Sequence, residues 1–500
     1  MTRSAAEVGR GLAAAREARP IAPGERIHVV GAAGAGASAA LLLAARAGAD
    51  ASGCDPAAPS PYTAAAEAAG LPLARAHDPA HVAHDGGPAA DRLAVTKALT
   101  AIAPDHPELA TARRLGIPVE AWQQVIADVA ATRDGRLVAV AGTHGKSTSA
   151  GWLMHVLADA GHDPSGFVGA LLPATLSGGI PATARWGGGD TFLVEADEYA
   201  GNFAPYRPSL AVLLNAEWDH PDVFADEAAV LDAFEAWIRA MVAGTDGGPP
   251  TLVANVGDPG AARVVERLGD WPGRVVRVAL DGVVDIRGRL VAGEGGRGRL
   301  VVEGLSGGSL EAALPLPGGH NAANALAVVA AADVLGVPGQ TIAAGLASFP
   351  GVGRRLELKG EPRGVAVLDD YAHHPTAIAA TIEAVRARYP GRRLWAVCEP
   401  LTYHRTAAML DAFAGALARA DRAVVADIWA GRDPDTTITS AAALAAAITA
   451  RAPAPALAPG SVEATAELLA GEVRPGDVVL VMGGGRSYVV AERLLRLLGG

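Results

Sequence analysis

Short runs of β-branched and other apolar residues recur along the chain, and several of them end in glycine-rich turns. The first run covers residues 27–30, continues into the turn GAAGAGAS at residues 31–38, and precedes an alanine- and leucine-rich stretch. The order of strand, glycine loop and helix is typical of a nucleotide-binding α/β unit. The next short strand is predicted to end near Asp55.

The same order returns in the middle of the chain, in RLVAVAGTHGKSTSAGWLMHVLADAG, and the strands TFLVEADE and LAVLLNAEWDH follow it. A third region holds four strand candidates, VAVLDDYAHHPT, RRLWAVCEP, RAVVADIW and DVVLVMGGG, with helical stretches between them. Strands that alternate with helices predict mostly parallel sheets with right-handed crossovers. Residues 281–312, rich in glycine and valine, predict an antiparallel excursion within the middle region.

The length of 500 residues exceeds what one hydrophobic core usually organises, and it fits three α/β domains. Stretches rich in proline, glycine and charge near residues 131–136 and 349–353 predict the boundaries. The predicted domains are therefore a Rossmann-like domain over residues 1–134, a central nucleotide-binding domain over 135–348 and a second Rossmann-like domain over 349–500.

Composition and charge exclude several classes of protein. The net charge of -11 argues against broad binding to nucleic acid or to an anionic membrane, because both need a basic surface. The two cysteines, Cys54 and Cys398, are far apart and lack metal-ligand spacing, which favours a reducing compartment. The sequence has no stretch typical of a signal peptide and no run of about eighteen apolar residues, so we expect a cytoplasmic protein.

The strongest local signal is a phosphate-binding loop between a predicted strand and a predicted helix. Backbone N–H groups at a helix N-terminus, a lysine and a hydroxyl that can bind Mg²⁺ together suit a triphosphate. The strict eight-residue pattern would need glycine at Val140, which weakens a generic GTPase or kinase interpretation, and a chance Gly/Lys turn is the other alternative. The loop residues are Gly142, Thr143, His144, Gly145, Lys146, Ser147 and Thr148.

Acidic residues follow two neighbouring strands of the same region. Glu195, Asp197 and Glu198 lie in EADEY, and Asp219 and His220 lie in EWDH. The carboxyl ends of parallel strands share one crevice with the phosphate loop, and Mg²⁺ prefers oxygen ligands. Any single one of these acids could equally cap a helix or be solvated, but as a set they predict a metal site.

The order GTHGKS, EADE, DH, GGHNAANALA, GVGRRLE and DDYAHHPT resembles that of the Mur ligases over nearly the whole chain. The resemblance implies a three-domain fold with a UDP-sugar domain, a central ATPase domain and a C-terminal Rossmann-like domain. It also implies an ATP- and Mg²⁺-dependent ligase. GTHGK, DDYAHHP and EPLTYHRT resemble the alanine-adding branch, whose substrates are UDP-N-acetylmuramate and L-alanine.

The resemblance implies roles for individual residues. In the central domain, Lys146 and Ser147 would hold phosphates and Mg²⁺, with Glu195 and His220 as further metal residues, and Asn324 would contact the adenine. From the C-terminal domain, Arg355 would reach the phosphates and Asp370 the ribose. The remaining assignments are the acceptor and catalytic residues Tyr371, His373 and Arg405, and the uridine-nucleotide residues Gly31, Gly34, Gly36 and Asp55.

Some residues depart from the alanine-adding pattern and leave alternatives open. Tyr199-Ala200 and the segment from Tyr206 are similar to the murein peptide ligase, which attaches a tripeptide to the same UDP sugar. A non-catalytic sugar-nucleotide sensor is a second alternative, and a glycine turn alone would also suit an NAD or FAD enzyme. The departures that motivate these alternatives are at Ala33, Lys97, His106 and Leu401.

Overall fold

The computed structural model describes residues 3–245, 247–292, 298–431, 433 and 435–499. Three large sheets carry the predicted domains, and each has helices between its strands. Within the described residues, no helix combines the length and the apolarity that crossing a membrane requires.

The first sheet has five parallel strands in the order β3-β2-β1-β6-β7. The strands of this region, including a separate two-stranded hairpin of β4 and β5, are β1 (Arg26–Val30), β2 (Asp50–Cys54), β3 (Leu73–Ala74), β4 (Ala83–His84), β5 (Gly87–Pro88), β6 (Arg92–Val95) and β7 (Val119–Ala121). A 3-10 turn covers Pro79–His81. The helices are α1 (Ala5–Val8), α2 (Ala35–Arg46), α3 (Ala64–Ala68), α4 (Lys97–Ile102), α5 (Pro107–Arg114) and α6 (Trp122–Thr132).

The second sheet has ten strands in the order β10-β9-β11-β8-β12-β13-β14-β15-β16-β17. They are β8 (Arg136–Ala141), β9 (Ser165–Leu172), β10 (Ala182–Arg185), β11 (Thr191–Ala196), β12 (Leu210–Leu213), β13 (Thr251–Asn255), β14 (Arg274–Ala279), β15 (Ile286–Ala292), β16 (Gly298–Leu305) and β17 (Gly308–Leu314). The helices are α7 (Lys146–Asp159), α8 (Ala174–Ser177), α9 (Glu227–Arg239), α10 (Pro259–Arg267), α11 (Gly319–Val334) and α12 (Gly339–Ser348), and a 3-10 turn covers Tyr199–Gly201.

The antiparallel excursion predicted for residues 281–312 is confirmed by the pairing of β15 with β16 and of β16 with β17. Residues 293–297 of that prediction lie outside the described residues. The edge strand β10 also runs antiparallel to β9, which the sequence did not indicate. Only a short helix and a turn separate β9 from β10, too little chain for the crossover that a parallel pair needs.

The third sheet has six strands in the order β18-β19-β23-β20-β21-β22. They are β18 (Glu357–Gly360), β19 (Ala366–Asp370), β20 (Leu394–Glu399), β21 (Arg422–Ala426), β22 (Leu457–Gly460) and β23 (Val478–Gly483). The helices are α13 (Pro375–Arg388), α14 (Tyr403–Ala408), α15 (Leu410–Leu417), α16 (Ala441–Thr449), α17 (Val462–Glu472) and α18 (Tyr488–Gly499). The four predicted strands are all present, while antiparallel β18 and the short strand β22 were not predicted.

The chain forms two compact units. The first contains Met1–Trp218, Val223–Pro315 and Asn321–Val352, and therefore the first two sheets. The second contains Gly353–Gly500 together with Asp219–Asp222 and Leu316–His320. The domain boundaries at residues 134 and 348 remain a prediction.

Candidate active site

The phosphate loop leaves strand β8 at Ala141 and enters helix α7 at Lys146. Gly142 and Gly145 have φ angles of +139° and +79°, a region that favours glycine. A Cβ on Gly145 would lie 2.7 Å from Asn324 Oδ1, on helix α11. The loop therefore needs glycine both for its backbone turn and for the close approach of the asparagine that was predicted to contact adenine.

Lys146 lies among carbonyl and carboxylate oxygens. Its Nζ donates to Gly142 O at 2.6 Å and to Glu198 Oε2 at 3.0 Å, and it is 3.6 Å from Asp197 Oδ1. Burial alone would lower the pKa of Lys146, but the carboxylates of Glu198, Asp197 and Glu195 outweigh burial and raise it. The lysine is therefore a fixed positive charge at the start of α7.

Glu198 is the acidic partner of Lys146, a role that the sequence did not single out among the acids of EADEY. Its side chain is buried, and burial raises its pKa to about 7 despite the opposing effect of Lys146. The motif EADE contained the residue, but the sequence could not tell which of its acids would face the lysine. The structure assigns that position to Glu198, with Asp197 at a longer distance.

Ser147 and Glu195 form the oxygen pair of the loop. Ser147 Oγ donates to Glu195 Oε1 at 3.1 Å, and the other carboxylate oxygen accepts from Gly169 N–H at 2.6 Å. Both are oxygen donors beside a phosphate loop, which fits the ligand preference of Mg²⁺. The structure thus brings together two of the three predicted metal residues, while His220 belongs to the other compact unit.

The rest of the loop is held by residues that follow β12. His144 N–H donates to Asn215 Oδ1 at 2.7 Å, and His144 Nε2 lies 2.9 Å from Glu217 Oε2. Thr143 Oγ1 donates to Glu217 O at 3.0 Å, and Thr148 is buried in the first turn of α7. These hydrogen bonds hold Thr143 and His144 of the loop against the segment that follows β12.

The N-terminal glycine turn has a similar backbone path but different chemistry. Gly31 has a φ of +83°, and Gly34 is the N-cap of helix α2. A Cβ on Gly36 would lie 2.2 Å from the Trp122 ring, so the helix must present glycine there. Asp55 accepts from Ala33 N–H at 3.0 Å and from Ala57 N–H at 2.8 Å, which holds this carboxylate against the turn.

In the second unit, Asp370 ends strand β19 and Tyr371 follows it directly. Asp370 is buried and accepts from the N–H groups of Leu356 and Ala372, at 2.7 and 2.8 Å. Burial raises its pKa, although the nearby Arg355 acts against that rise. The Arg355 guanidinium lies 5.1 Å from the centre of the Tyr371 ring. Glu357, two residues after Arg355, pairs with Lys359 at 2.9 Å.

Arg405 is buried at the start of α14, and it holds the segment 219–222. Its Nε donates to Asp219 Oδ1 at 2.7 Å, and its Nη2 lies 3.1 Å from His220 Nδ1. Its Nη1 is buried without a hydrogen-bond partner among the described residues. Burial alone would raise the pKa of Asp219, but Arg405 and His220 keep it well below its usual range.

His373 lies in the same group of side chains. Its Nδ1 is 2.8 Å from Tyr371 O, and burial together with the positive Arg405 lowers its pKa well below the usual value. The ring is therefore neutral near pH 7, and Nδ1 carries the proton that Tyr371 O accepts. In the structure His373 contacts Tyr371 and lies close enough to Arg405 to feel its charge, and Asp219 orients Arg405; the roles of these residues in the reaction remain predictions.

A strand, a glycine loop with a buried lysine at the start of a helix, and a serine–carboxylate pair define a phosphate-loop nucleotide-binding enzyme. Residues 140–332 match the family described as Mur ligase middle domain, residues 354–485 match Mur ligase, glutamate ligase domain, and residues 26–134 match Mur ligase family, catalytic domain. The chain belongs to the Mur ligase family.

Curated relatives extend over almost the entire chain. A UDP-N-acetylmuramate–L-alanine ligase from Frankia casuarinae is 37% identical over 509 residues, covering 95% of this chain and 98% of the relative. The enzyme of the same name from Acidothermus cellulolyticus is 39% identical over 480 residues, covering 94% of both chains.

Two solved structures share the fold over most of their length. A UDP-N-acetylmuramate-alanine ligase from Thermotoga maritima aligns with a TM-score of 0.76 at 24% identity, covering 94% of this chain and 98% of that one. A murein peptide ligase from Psychrobacter arcticus aligns with a TM-score of 0.71 at 25% identity, covering 95% and 99%. At 24% identity, the similarity to the Thermotoga maritima enzyme shows a shared fold and nothing further.

Proposed function

We propose that this enzyme joins L-alanine to the lactyl carboxylate of UDP-N-acetylmuramate at the expense of ATP, in the synthesis of peptidoglycan precursors. Relatives of that name match nearly full length at 37 to 39% identity. The single structural observation that supports it best is the phosphate loop, in which Lys146 and the Ser147–Glu195 pair converge beside α7. Because ATP and UDP-sugars are cytoplasmic metabolites, the proposal places the reaction in the cytoplasm.

The chemistry requires activation of a carboxylate, since a carboxylate is a poor acyl donor. Transfer of a phosphoryl group from ATP to the lactyl carboxylate gives an acyl phosphate, and the amino group of L-alanine then displaces inorganic phosphate to form the amide. Lys146 neutralises charge on the transferring group, and the N–H groups at the start of α7 receive the phosphates. A Mg²⁺ ion bound by Ser147 and Glu195 would supply further neutralisation of phosphate charge.

Arg405 is the candidate for binding the carboxylate of the incoming amino acid. Asp219 and His220 occupy its Nε and Nη2, while Nη1 stays available for an anionic ligand. A guanidinium fixed by Asp219 loses little side-chain freedom when it binds, which favours a small rigid acceptor. His373, neutral and held by Tyr371 O, would accept a hydrogen bond on Nε2 from the free amino group of L-alanine and take its proton as the nitrogen bonds to the acyl carbon.

Release of inorganic phosphate tests the proposal directly. We expect phosphate only when ATP, Mg²⁺, UDP-N-acetylmuramate and L-alanine are all present, with one ADP and one UDP-N-acetylmuramoyl-alanine formed per phosphate. Omission of the sugar nucleotide removes the phosphoryl acceptor and serves as the control. Undiminished ATP hydrolysis without the sugar would contradict the proposed reaction.

A second candidate function is attachment of the tripeptide L-Ala-γ-D-Glu-meso-diaminopimelate to the same sugar. Ala200 has a left-handed backbone with φ of +48°, and Tyr206 is buried, in the segment that resembles murein peptide ligases. A tripeptide carries additional carboxylates, but Arg405 is the only Arg or Lys between Cys398 and Asp411. We therefore expect L-alanine to be used at least ~100-fold more efficiently, about 2.7 kcal/mol of discrimination.

Measurement of kcat/KM for both acceptors decides between the two functions. Arg405→Ala should remove most of the efficiency with L-alanine while ATP binding persists, and Arg419→Ala, an exposed arginine paired with Glu383, is the matched control. If the tripeptide is the better acceptor, the alanine assignment is wrong, while the phosphate loop and the acyl-phosphate chemistry stand.

A further inference from the structure

A group of histidine, cysteine and glutamate side chains lies in the N-terminal domain, away from the phosphate loop. His28 is on β1, Cys54 ends β2, His81 ends the 3-10 turn Pro79–His81, and Glu108 is in the first turn of α5. One ligand atom from each of these four residues lies within 4.8 Å of the others. None of the four takes part in the proposed ligase reaction.

The distances between the ligand atoms are close to those around a tetrahedral metal ion. His28 Nε2 is 3.3 Å from Cys54 Sγ, and Sγ is 3.2 Å from Glu108 Oε2. A tetrahedral Zn²⁺ with usual bond lengths separates its sulfur from its nitrogen or oxygen ligands by about 3.5 Å. His81 Nδ1 and Glu108 Oε1, at 2.6 Å, would need to separate by roughly 0.7 Å, which a rotation of the half-buried His81 ring allows.

The surroundings orient these atoms toward a common centre. His28 Nδ1 lies 2.8 Å from Ser52 Oγ, so this serine can hold the Nδ1 proton and leave the Nε2 lone pair directed at Cys54. Glu108 accepts from Asp78 N–H at 2.9 Å. Metal-binding histidines and carboxylates usually have such outer hydrogen bonds, which fix their orientation.

Burial and charge also favour a metal. Cys54, Glu108 and His28 are 0%, 0% and 3% exposed, so this is an interior polar group rather than a solvated surface. One thiolate and one carboxylate balance the two charges of a divalent cation, so the occupied site would be neutral and suited to a low-dielectric interior.

We propose that His28, Cys54, His81 and Glu108 form a binding site for a divalent transition metal, with Zn²⁺ as the best match to a Cys/His₂/Glu ligand set. Binding displaces the thiol proton of Cys54 to solvent and forms the Zn–S, two Zn–N and Zn–O bonds. His77, whose Nδ1 is 3.3 Å from Cys54 Sγ, lies beside the site and is partly exposed.

The position of the site gives it a structural consequence. The carbonyl of Cys54 accepts from the N–H groups of Gly31 and Ala32, at 2.9 and 3.2 Å. A metal would therefore join the middle of β1 and the end of β2 to α5, next to the glycine turn that is predicted to bind the uridine nucleotide. We expect metal occupancy to raise the melting temperature by several degrees by stabilising this end of the sheet.

Cobalt binding tests the proposal with a readout that does not depend on ligase activity. The full-length protein is stripped with a chelator, returned to buffer with excess Mg²⁺ to occupy hard oxygen sites, and titrated with Co²⁺. We expect one Co²⁺ per chain, visible absorption typical of tetrahedral cobalt, and a near-ultraviolet thiolate-to-cobalt band. Equimolar Zn²⁺ should abolish both signals.

Three variants separate this site from other thiol chemistry. Cys54→Ser should lose the thiolate band and weaken metal binding at least ~100-fold, more than the loss of an outer-sphere bond would cause. Cys398→Ala, at the other buried cysteine, should keep both. His81→Ala, at a half-buried position, tests the same site with little risk to folding.

The proposal fails if the wild-type protein gives no thiolate-to-cobalt band, or if the band persists in Cys54→Ser. It also fails if Cys398→Ala removes the band. Because the wild-type titration is decisive without any variant, a misfolded Cys54→Ser protein leaves the proposal testable.

Discussion

The first and second sheets both gather polar side chains where parallel strands end beside a glycine turn, yet the two groups differ in kind. At the second sheet the side chains are Ser147, Glu195 and Glu198, all oxygen donors, beside a lysine. At the first sheet they include Cys54 and His28, which prefer softer metals. The α/β architecture therefore supplies a place for ligands, while the residue types there determine which ligand binds.

The two glycine turns differ in the same way. The turn before α7 carries Lys146, whereas the turn before α2 carries no charged side chain between Gly31 and Ser38. A backbone turn with a nearby carboxylate suits the neutral and ribose parts of a nucleotide, and a turn with a lysine suits a triphosphate. We therefore expect substitutions at the second turn to affect turnover and those at the first turn to affect binding of the sugar nucleotide.

The largest expected effect is that of Lys146→Ala. Loss of the cation that contacts the phosphate loop should lower kcat at least ~100-fold, about 2.7 kcal/mol or more of transition-state stabilisation. Steady-state phosphate release measures this, with Lys359→Ala as the control, because Lys359 pairs with the partly exposed Glu357 and lies outside the phosphate loop. A Lys146→Ala enzyme within a few fold of wild type would remove the phosphate loop from the mechanism.

The second prediction concerns pH and compares two buried glutamates. The pKa of Glu198 is raised to about 7 from an ordinary 4.5, so the folded state binds more protons and its stability falls as pH rises from about 4.5 to 7. Glu198→Gln should remove that fall, a difference of about 1 to 3 kcal/mol in the free energy of unfolding.

Glu108 should behave in the opposite way. Burial alone would raise its pKa, but the bonds from Asp78 N–H, His81 and Cys54 lower it overall. Glu108 therefore stabilises the folded state above pH 4.5, and this contribution to the free energy of unfolding is lost as pH falls below that value. Denaturant unfolding of wild type, Glu198→Gln and Glu108→Gln between pH 4 and 8, with a chelator present, measures the free energy of unfolding at each pH. The difference between wild type and each variant gives the slope with pH that each glutamate contributes. Slopes of the same sign at the two sites would contradict the comparison.

The third prediction uses two serines of helix α7. Ser147→Ala removes the hydroxyl that faces Glu195 and should raise the Mg²⁺ concentration needed for half-maximal activity by roughly 10-fold, the scale of one lost ligand contact. Ser149→Ala is the matched control, because Ser149 is buried and its Oγ has no hydrogen-bond partner among the described residues. Equal Mg²⁺ requirements in both variants would argue against Ser147 as a ligand.

The smallest effect is expected at the first turn. Asp55→Asn replaces the carboxylate that accepts from the N–H groups of Ala33 and Ala57 with a neutral amide, which is a weaker acceptor. It should raise KM for the UDP sugar by about 5-fold with kcat nearly unchanged. Asp50→Asn, at the exposed start of β2, the strand that precedes Asp55, is the control. A large fall in kcat for Asp55→Asn would contradict the assignment of sugar-nucleotide binding to the first turn and of turnover to the second.

The chain order of strand, loop and helix was predictable because each step is local. Strands β1 and β8, the glycine turns that follow them and the helices α2 and α7 all appear where the sequence placed them. The antiparallel excursion near β16 and the four main strands of the third sheet were also correctly predicted. Antiparallel edge strands such as β18 were missed, because a short edge strand has too few residues to show a period.

The pairing of side chains that are distant in sequence was decided by the tertiary structure. Arg405 meets Asp219 across 186 positions, and Lys146 selects Glu198 rather than Glu195 or Asp197 as its closest carboxylate. No periodic pattern carries that information, since it depends on strand order and register.

The group around Cys54 shows most clearly the difference between what the sequence determines and what the tertiary structure determines. The sequence determined the residue types, and its spacing around Cys54 showed no metal-ligand motif. Parallel pairing of β1 with β2 places His28 beside Ser52 and near Cys54, and α5 then brings Glu108 to the same sheet end from 54 residues away. The sequence by itself therefore determined the family, the local elements and the phosphate loop. The tertiary structure alone decided which distant side chains share an interior site, because contacts across a sheet follow from topology and packing rather than from neighbouring residues.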